Sequence, residues 1–223
     1  MNRYIVSIVI SAFNEVDNID HLYEELSVVT NKLNVARVEI IFVNDGSTDA
    51  TREKILNLQK KDSNIKLVDL KRNFGHEIAM TAGMDNAIGD AVIFMDADLQ
   101  HPPKHIIEMI DEWRNGFDIV LTKRIGNRGT SRFYKILSSA FYKIINMMSD
   151  VKIPKNTPDF RLLDRKYVDF LKQFTEQDRM FRGLLNLTTS MDNVKIIKFV
   201  APERFAGQSK YNFSKSVKLA LGA

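Results

Sequence analysis

The sequence predicts an α/β domain with a mostly parallel central sheet covered by helices on both faces. Three observations carry this. Short β-branched runs alternate with helix-length segments through the first half of the 223-residue chain. The runs Tyr4 to Ile10, Val38 to Val43 and Ala91 to Met95 are nearly continuous in apolar residues, as strands buried on both faces are. Each then breaks into polar residues: Ser11 to Glu15, Asn44 to Asp49 and Asp96 to Gln100. In a parallel sheet wound right-handed those ends lie on one edge, where open α/β sheets take their ligands.

The elements follow in order. After the first strand, Ile19, Leu22, Leu26, Val29 and Leu33 recur at helical spacing. After the second, Gly46 supplies turn geometry, and Ser47, Thr48 or Asp49 can cap a helix carrying Ile55 and Leu58. A third strand spans Ile65 to Leu70, and a helix through Ile78, Met80 and Ala82 leads to the fourth, Ala91 to Met95. Pro102 and Pro103 suit the start of a helix running to Arg114, and a fifth strand covers Asp118 to Leu121. Beyond it lie a basic loop from Lys123 to Thr130, an apolar helical stripe from Phe133 to Met148, and a loop ending in Asp159-Phe160-Arg161. Helical patterns at Tyr167 to Phe174 and Met180 to Leu187, a strand at Val194 to Val200 and a basic, aromatic tail complete the chain.

Composition narrows the function. The net charge of +4 favours phosphorylated ligands or an anionic membrane surface, and the basic residues are too scattered for a nucleic-acid reader. Without cysteine there is no disulfide or thiolate metal site. No Gly-x-Gly-x-x-Gly follows the first strand, which argues against a dinucleotide cofactor, and no P-loop signature is present. No stretch approaches a membrane span, so the chain as given is expected to be soluble or peripheral, on the cytoplasmic side.

The chemistry concentrates at Asp96-Ala97-Asp98-Leu99-Gln100. If the chain stays extended past the fourth strand, Asp96, Asp98 and Gln100 share one face. Two carboxylates and an amide oxygen suit a hard cation such as Mg²⁺, which leaves positions for substrate phosphates.

Taken together, Phe13-Asn14-Glu15, Asn44-Asp45-Gly46-Ser47-Thr48-Asp49, Arg72-Asn73-Phe74-Gly75 and Asp96-Ala97-Asp98-Leu99-Gln100 resemble the family 2 glycosyltransferases. The similarity is greatest to the branch that moves sugar onto polyprenyl phosphate, typified by dolichol-phosphate mannose synthase and bactoprenol glucosyltransferases. Asp159-Phe160-Arg161 and Arg204-x-x-Gly207-x-Ser209-Lys210-Tyr211 extend the match through the second half. One departure is local: the family usually has proline where this chain has Ser11 or Ala12.

The resemblance implies a Rossmann-like, nucleotide-sugar-binding fold of GT-A type and an inverting, metal-dependent transfer from a UDP- or GDP-sugar to polyprenyl phosphate at a membrane surface. It implies Mg²⁺ or Mn²⁺ on Asp98, with Asp96 and Gln100 supporting; Asp96 alternatively meets the ribose or reaches the metal through water. Phe13, Asn14, Glu15, Asp45 and Asp96 are the expected nucleotide-sugar residues. Arg124, Arg128, Arg161, Arg204, Ser209 and Lys210 are the expected phosphate and acceptor residues. Asp159 corresponds to the family's candidate base. A lipid monophosphate is already anionic near neutral pH, so Asp159 is expected to orient more than to deprotonate, whereas a hydroxyl acceptor requires a base. A glycan-hydroxyl acceptor and a non-catalytic sugar-nucleotide module are the competing readings. The expected organisation is a nucleotide-sugar half at 1–123, an acceptor half at 124–205 and a basic juxtamembrane tail at 206–223. Relatives often continue into transmembrane helices and can associate, so a longer, membrane-anchored protein and a homo-oligomer are both expected.

Overall fold

The computed structural model describes residues 4–125, 158–173 and 193–202. Strands β1 (Ile5–Ala12), β2 (Arg37–Asn44), β3 (Ile65–Asp69), β4 (Ala91–Asp96) and β5 (Ile119–Arg124) alternate with helices α1 (Ile19–Thr30), α2 (Thr51–Lys61), α3 (His76–Asn86) and α4 (His105–Arg114). β6 (Arg161–Asp164), α5 (Arg165–Lys172) and β7 (Val194–Phe199) follow. Among the described residues, seven strands form one sheet in the order β3-β2-β1-β4-β6-β5-β7. The pairings β1–β2, β2–β3, β1–β4 and β5–β7 are parallel.

Alternation along the strands sends side chains to two cores. Val6, Ile8 and Ile10 pack with Ile93 and Met95 beneath Leu22 and Leu26 of α1, Ile55 of α2 and Ile106 of α4. Val9, Ile41, Val43, Val92 and Phe94 face the other way, onto Met80 and Met84 of α3 and Leu171 of α5. Both faces are therefore covered, which is why these strands read as unbroken apolar runs. Gly83 allows α3 to approach: a Cβ there would lie 2.2 Å from Val9 Cγ1.

β6 is a correction. The sequence reading has a loop through Asp159-Phe160-Arg161 and no strand before the following helix. The structure places Arg161–Asp164 as an antiparallel strand between β4 and β5. Four residues are too few to show alternation, and Leu162 and Leu163 are buried on opposite faces. Its direction matters. Phe94 pairs with Arg161, so the start of β6 lies beside the carboxyl end of β4 and carries Asp159 to the edge where Asp96 stands.

The opposite edge is held by a buried carboxylate. Glu39 accepts hydrogen bonds from Ser7 Oγ, Ile88 N–H at 2.8 Å and Lys66 Nζ at 2.6 Å. Burial pushes its pKa up, but the Ile88 amide, Lys66 and the Ser7 hydroxyl outweigh that, and the carboxyl titrates below its ordinary range. A depressed folded-state pKa gives stability that is present above the unfolded value and lost as pH falls through the folded one. Glu39→Gln is therefore expected to be less stable than the wild type by roughly 1–3 kcal/mol at pH 7. That gap is expected to narrow below pH about 4. Urea midpoints at the two pH values check this.

Candidate active site

The carboxyl ends of β1 and β4 are neighbours, with Ser11 paired in register with Asp96. Ser11 Oγ donates to Asp96 Oδ1 at 3.2 Å and lies 3.1 Å from His76 Nδ1. His76 is the first residue of α3, reached through Gly75 at φ 99°. Its other ring nitrogen, Nε2, lies 3.2 Å from Asp159 Oδ2, and Asp159 Oδ1 is ion-paired with Arg161. Glu77, Met80 and Phe94 line the same small cleft as Asp159 and Arg161. Two carboxylates distant in sequence are thus joined through one imidazole and one hydroxyl.

The chain does not stay extended past β4, which corrects the expectation that Asp96, Asp98 and Gln100 alternate along a strand. It turns at Ala97, Leu99 has φ 59°, and Gln100 N–H donates to Asp98 Oδ1 at 3.1 Å. The short polar turn closes on itself because an Asp side chain bonds a backbone amide two residues on. The two carboxylates nonetheless act on one neighbour. His101 is buried, stacked on Phe160 at 5.2 Å, and its Nδ1 accepts the Asp96 N–H at 3.0 Å. Burial pushes the His101 pKa down; Asp96 and Asp98 pull it up, while His76 and Arg124 push it down. Asp96 Oδ2 lies 3.8 Å from His101 Nδ1, and Asp98, His76 and Arg124 also act on the ring electrostatically. Because His101 accepts at Nδ1 and burial disfavours its charged form, it does not neutralise the adjacent carboxylates.

Among the described residues no group of three His, Asp or Glu side chains is arranged to hold a metal. The oxygen donors of Asp96 and Asp98, beside a neutral imidazole, do fit a Mg²⁺ or Mn²⁺ that keeps positions for substrate phosphate and water.

The loops after β1 and β2 interlock. Asn14, at φ 53°, donates its N–H to Ser47 Oγ and accepts the Thr48 N–H at 2.8 Å. Glu15 N–H donates to Thr51 Oγ1, and the Glu15 carboxylate accepts from Asn18. Phe13 is half-buried beside them. Asp45 is buried and accepts the N–H groups of Phe74 at 2.7 Å and Gly75 at 3.0 Å, so it secures the loop that delivers His76.

Of the expected phosphate residues, Arg124 ends β5 near His101, whereas Arg161 is buried and already matched by Asp159. Arg128, Arg204, Ser209 and Lys210 lie outside the described residues, as do the 133–148 stripe and the 206–223 tail. The sequence reading gives His76, His101 and Ser11 no role. The signal for all three is position: each stands within a few residues of a polar strand end.

The family model described as glycosyl transferase family 2 matches residues 7–171. An uncharacterized glycosyltransferase of Synechocystis is 44% identical over 97% of this chain and 67% of its own length. A prophage bactoprenol glucosyl transferase homolog of Escherichia coli is 38% identical over 97% of this chain and 70% of its own. Among solved structures, S. aureus TarS in complex with UDP-GlcNAc superposes with a TM-score of 0.62 at 17% identity, over 95% of this chain and 62% of that one. Mycobacterium tuberculosis glucosyl-3-phosphoglycerate synthase, in complex with Mn²⁺, UDP and phosphoglyceric acid, gives 0.58 at 18% identity, over 92% and 72%.

Proposed function

We propose, since the chain belongs to glycosyl transferase family 2 and has a GT-A type fold, that it moves a sugar from a UDP- or GDP-sugar to a polyprenyl phosphate at the cytoplasmic face of a membrane. The observation that carries the acceptor is the likeness, over nearly the whole chain, to bactoprenol glucosyl transferases. Among the described residues no helix is long and apolar enough to cross a membrane.

In this reading Asp96 and Asp98, with Gln100 beside them, hold Mg²⁺ or Mn²⁺. The chemistry such an ion supplies is stabilisation of the charge that grows on the departing diphosphate. Phe13, Asn14, Glu15 and Asp45 shape the nucleotide side, directly or through the 72–75 loop. Arg124, with Arg128, Arg204, Ser209 and Lys210, receives phosphate; guanidinium forks suit that task. Asp159, held at both oxygens by Arg161 and His76, orients the acceptor for in-line attack, and the sugar inverts. An anionic lipid phosphate needs little proton removal, so orientation is its larger contribution.

The test incubates full-length protein with undecaprenyl phosphate, Mg²⁺ or Mn²⁺ and a set of labelled UDP- and GDP-sugars. Label in a lipid-linked sugar phosphate of inverted configuration is expected. Label in glycan without a lipid product moves the acceptor to a hydroxyl, and no transfer from any donor overturns the reading.

A further inference from the structure

We propose that His76, together with Ser11, is a positioning residue that sets the Asp159 carboxylate at a fixed spacing from Asp96; this rests on the glycosyl-transfer reading above. Imidazole is rigid and presents its two nitrogens in different directions. Nδ1 meets Ser11 Oγ at 3.1 Å and lies 3.4 Å from Asp96 Oδ1, while Nε2 meets Asp159 Oδ2 at 3.2 Å. One ring therefore spans the gap between the carboxylate assigned to the cation and the carboxylate assigned to the acceptor.

The two oxygens of Asp159 have separate partners. Arg161 takes Oδ1 from its own strand, and His76 takes Oδ2 from the start of α3. With both in place the carboxylate plane cannot turn. With the ring removed, Arg161 still matches its charge, but rotation about the Cβ–Cγ bond is freed. Ser11 locks the other end. Its hydroxyl also reaches Asp96 Oδ1, so strand β1 ties the ring to the tip of β4. Proline at this position would provide no such hydroxyl.

The ring is not a packing element. It is partly exposed, and α3 is anchored by Ala79, Met80 and Met84 instead. Its supply line is built with care: Asp45 bonds the Phe74 and Gly75 amides immediately before it. A loop so held delivers the first helical residue to one place.

Two measurements on full-length protein test this. In the first, long-range ¹H–¹⁵N spectra of histidine-labelled protein are recorded, with His76 assigned by its loss in His76→Gln. Asp159→Asn is expected to shift the His76 Nε2 resonance and Ser11→Ala the Nδ1 resonance, with His21 unmoved. Shifts at neither nitrogen overturn the contact. In the second, steady-state transfer is compared across His76→Ala and His76→Gln. Mispositioning of a reacting group by about 1 Å lowers turnover about 100-fold, so His76→Ala is expected to lose about that much in kcat while its donor KM stays within about threefold. Gln places an amide N–H near the Nε2 position and is expected to recover about tenfold of the loss. A His76→Ala enzyme with kcat within about threefold of wild type, or a defect confined to donor KM, overturns the positioning role. An Nε2 shift on Asp159→Asn together with wild-type protein that transfers no sugar keeps the bridge and removes only the glycosyl-transfer reading.

Discussion

Asp98→Ala is expected to lower turnover by about 10³-fold, or roughly 4 kcal/mol of transition-state stabilisation, with little change in thermal stability. The carboxylate belongs to a turn beyond β4, not to the sheet, and accepts the Gln100 N–H within that turn. What the substitution removes is half of the acidic pair beside His101, a histidine whose buried, neutral ring offers no charge in exchange. On the proposed assignment, charge developing on a leaving diphosphate would then lack the cation that Asp98 would help to hold. Initial rates with saturating donor and acceptor, and calorimetric titration of UDP in the presence of Mn²⁺, measure the effect. Gln100→Ala removes a neutral group and is expected to fall well short of it. An Asp98→Ala enzyme retaining a tenth of wild-type turnover contradicts the assignment.

Gly46→Ala has the largest expected effect on the fold. Gly46 has φ +64°, and a Cβ built on it lies 2.2 Å from the Arg72 carbonyl carbon and 2.5 Å from Arg72 Cα and Asn73 N. All three are backbone atoms, and the segment that carries them is fastened by Asp45 to the next residue along. A side chain could swing aside; displacing this loop disturbs the hydrogen bonds that Asp45 accepts from the Phe74 and Gly75 N–H groups. Left-handed strain adds about 1 kcal/mol and the displaced loop more, for a total of about 3 kcal/mol. For a chain of this size that is roughly 10 °C in Tm. Gly75→Ala is the control. Nothing lies within 4 Å of the added Cβ, but φ +99° with ψ 160° is a conformation essentially confined to glycine, so strain alone is expected to cost about 2 kcal/mol. Melting curves of the two variants separate clash from strain. UDP affinity is expected to fall in Gly46→Ala as well, because the same loop joins the nucleotide side of the site to His76.

The parts of this fold legible in the sequence are those whose cause is local. β1, β2 and β4 are buried on both faces, so apolar runs announce them, and the polar residues that end the runs announce the edge that carries the site. The same pattern underestimates strand ends: β5 continues through Thr122 to Arg124 because β7 pairs with it along its whole length. β6 escapes notice for a related reason. Its four residues become a strand through partners about 40 and 70 positions earlier in the chain, and nothing in Arg161-Leu162-Leu163-Asp164 states that by itself. Asp96 and Asp98 were legible as polar residues closing a strand, but the shape of the turn was not. Extrapolating the strand pleat misses a turn closed by one Asp side chain. His76 and Ser11 show the remaining limit. A histidine after a glycine and a serine at a strand end are ordinary in sequence. Their contacts exist only once strands β1, β4 and β6 lie side by side.

Diffraction from crystals of the protein grown with Mn²⁺ and UDP, collected at the manganese absorption edge, tests the account at its root. The expected result is one anomalous peak about 2 Å from oxygens of Asp98 or Asp96, bridged to the UDP diphosphate, with the uracil lying against the loops that follow β1 and β2. A manganese peak away from both aspartates, or UDP bound at another edge of the sheet, would contradict it.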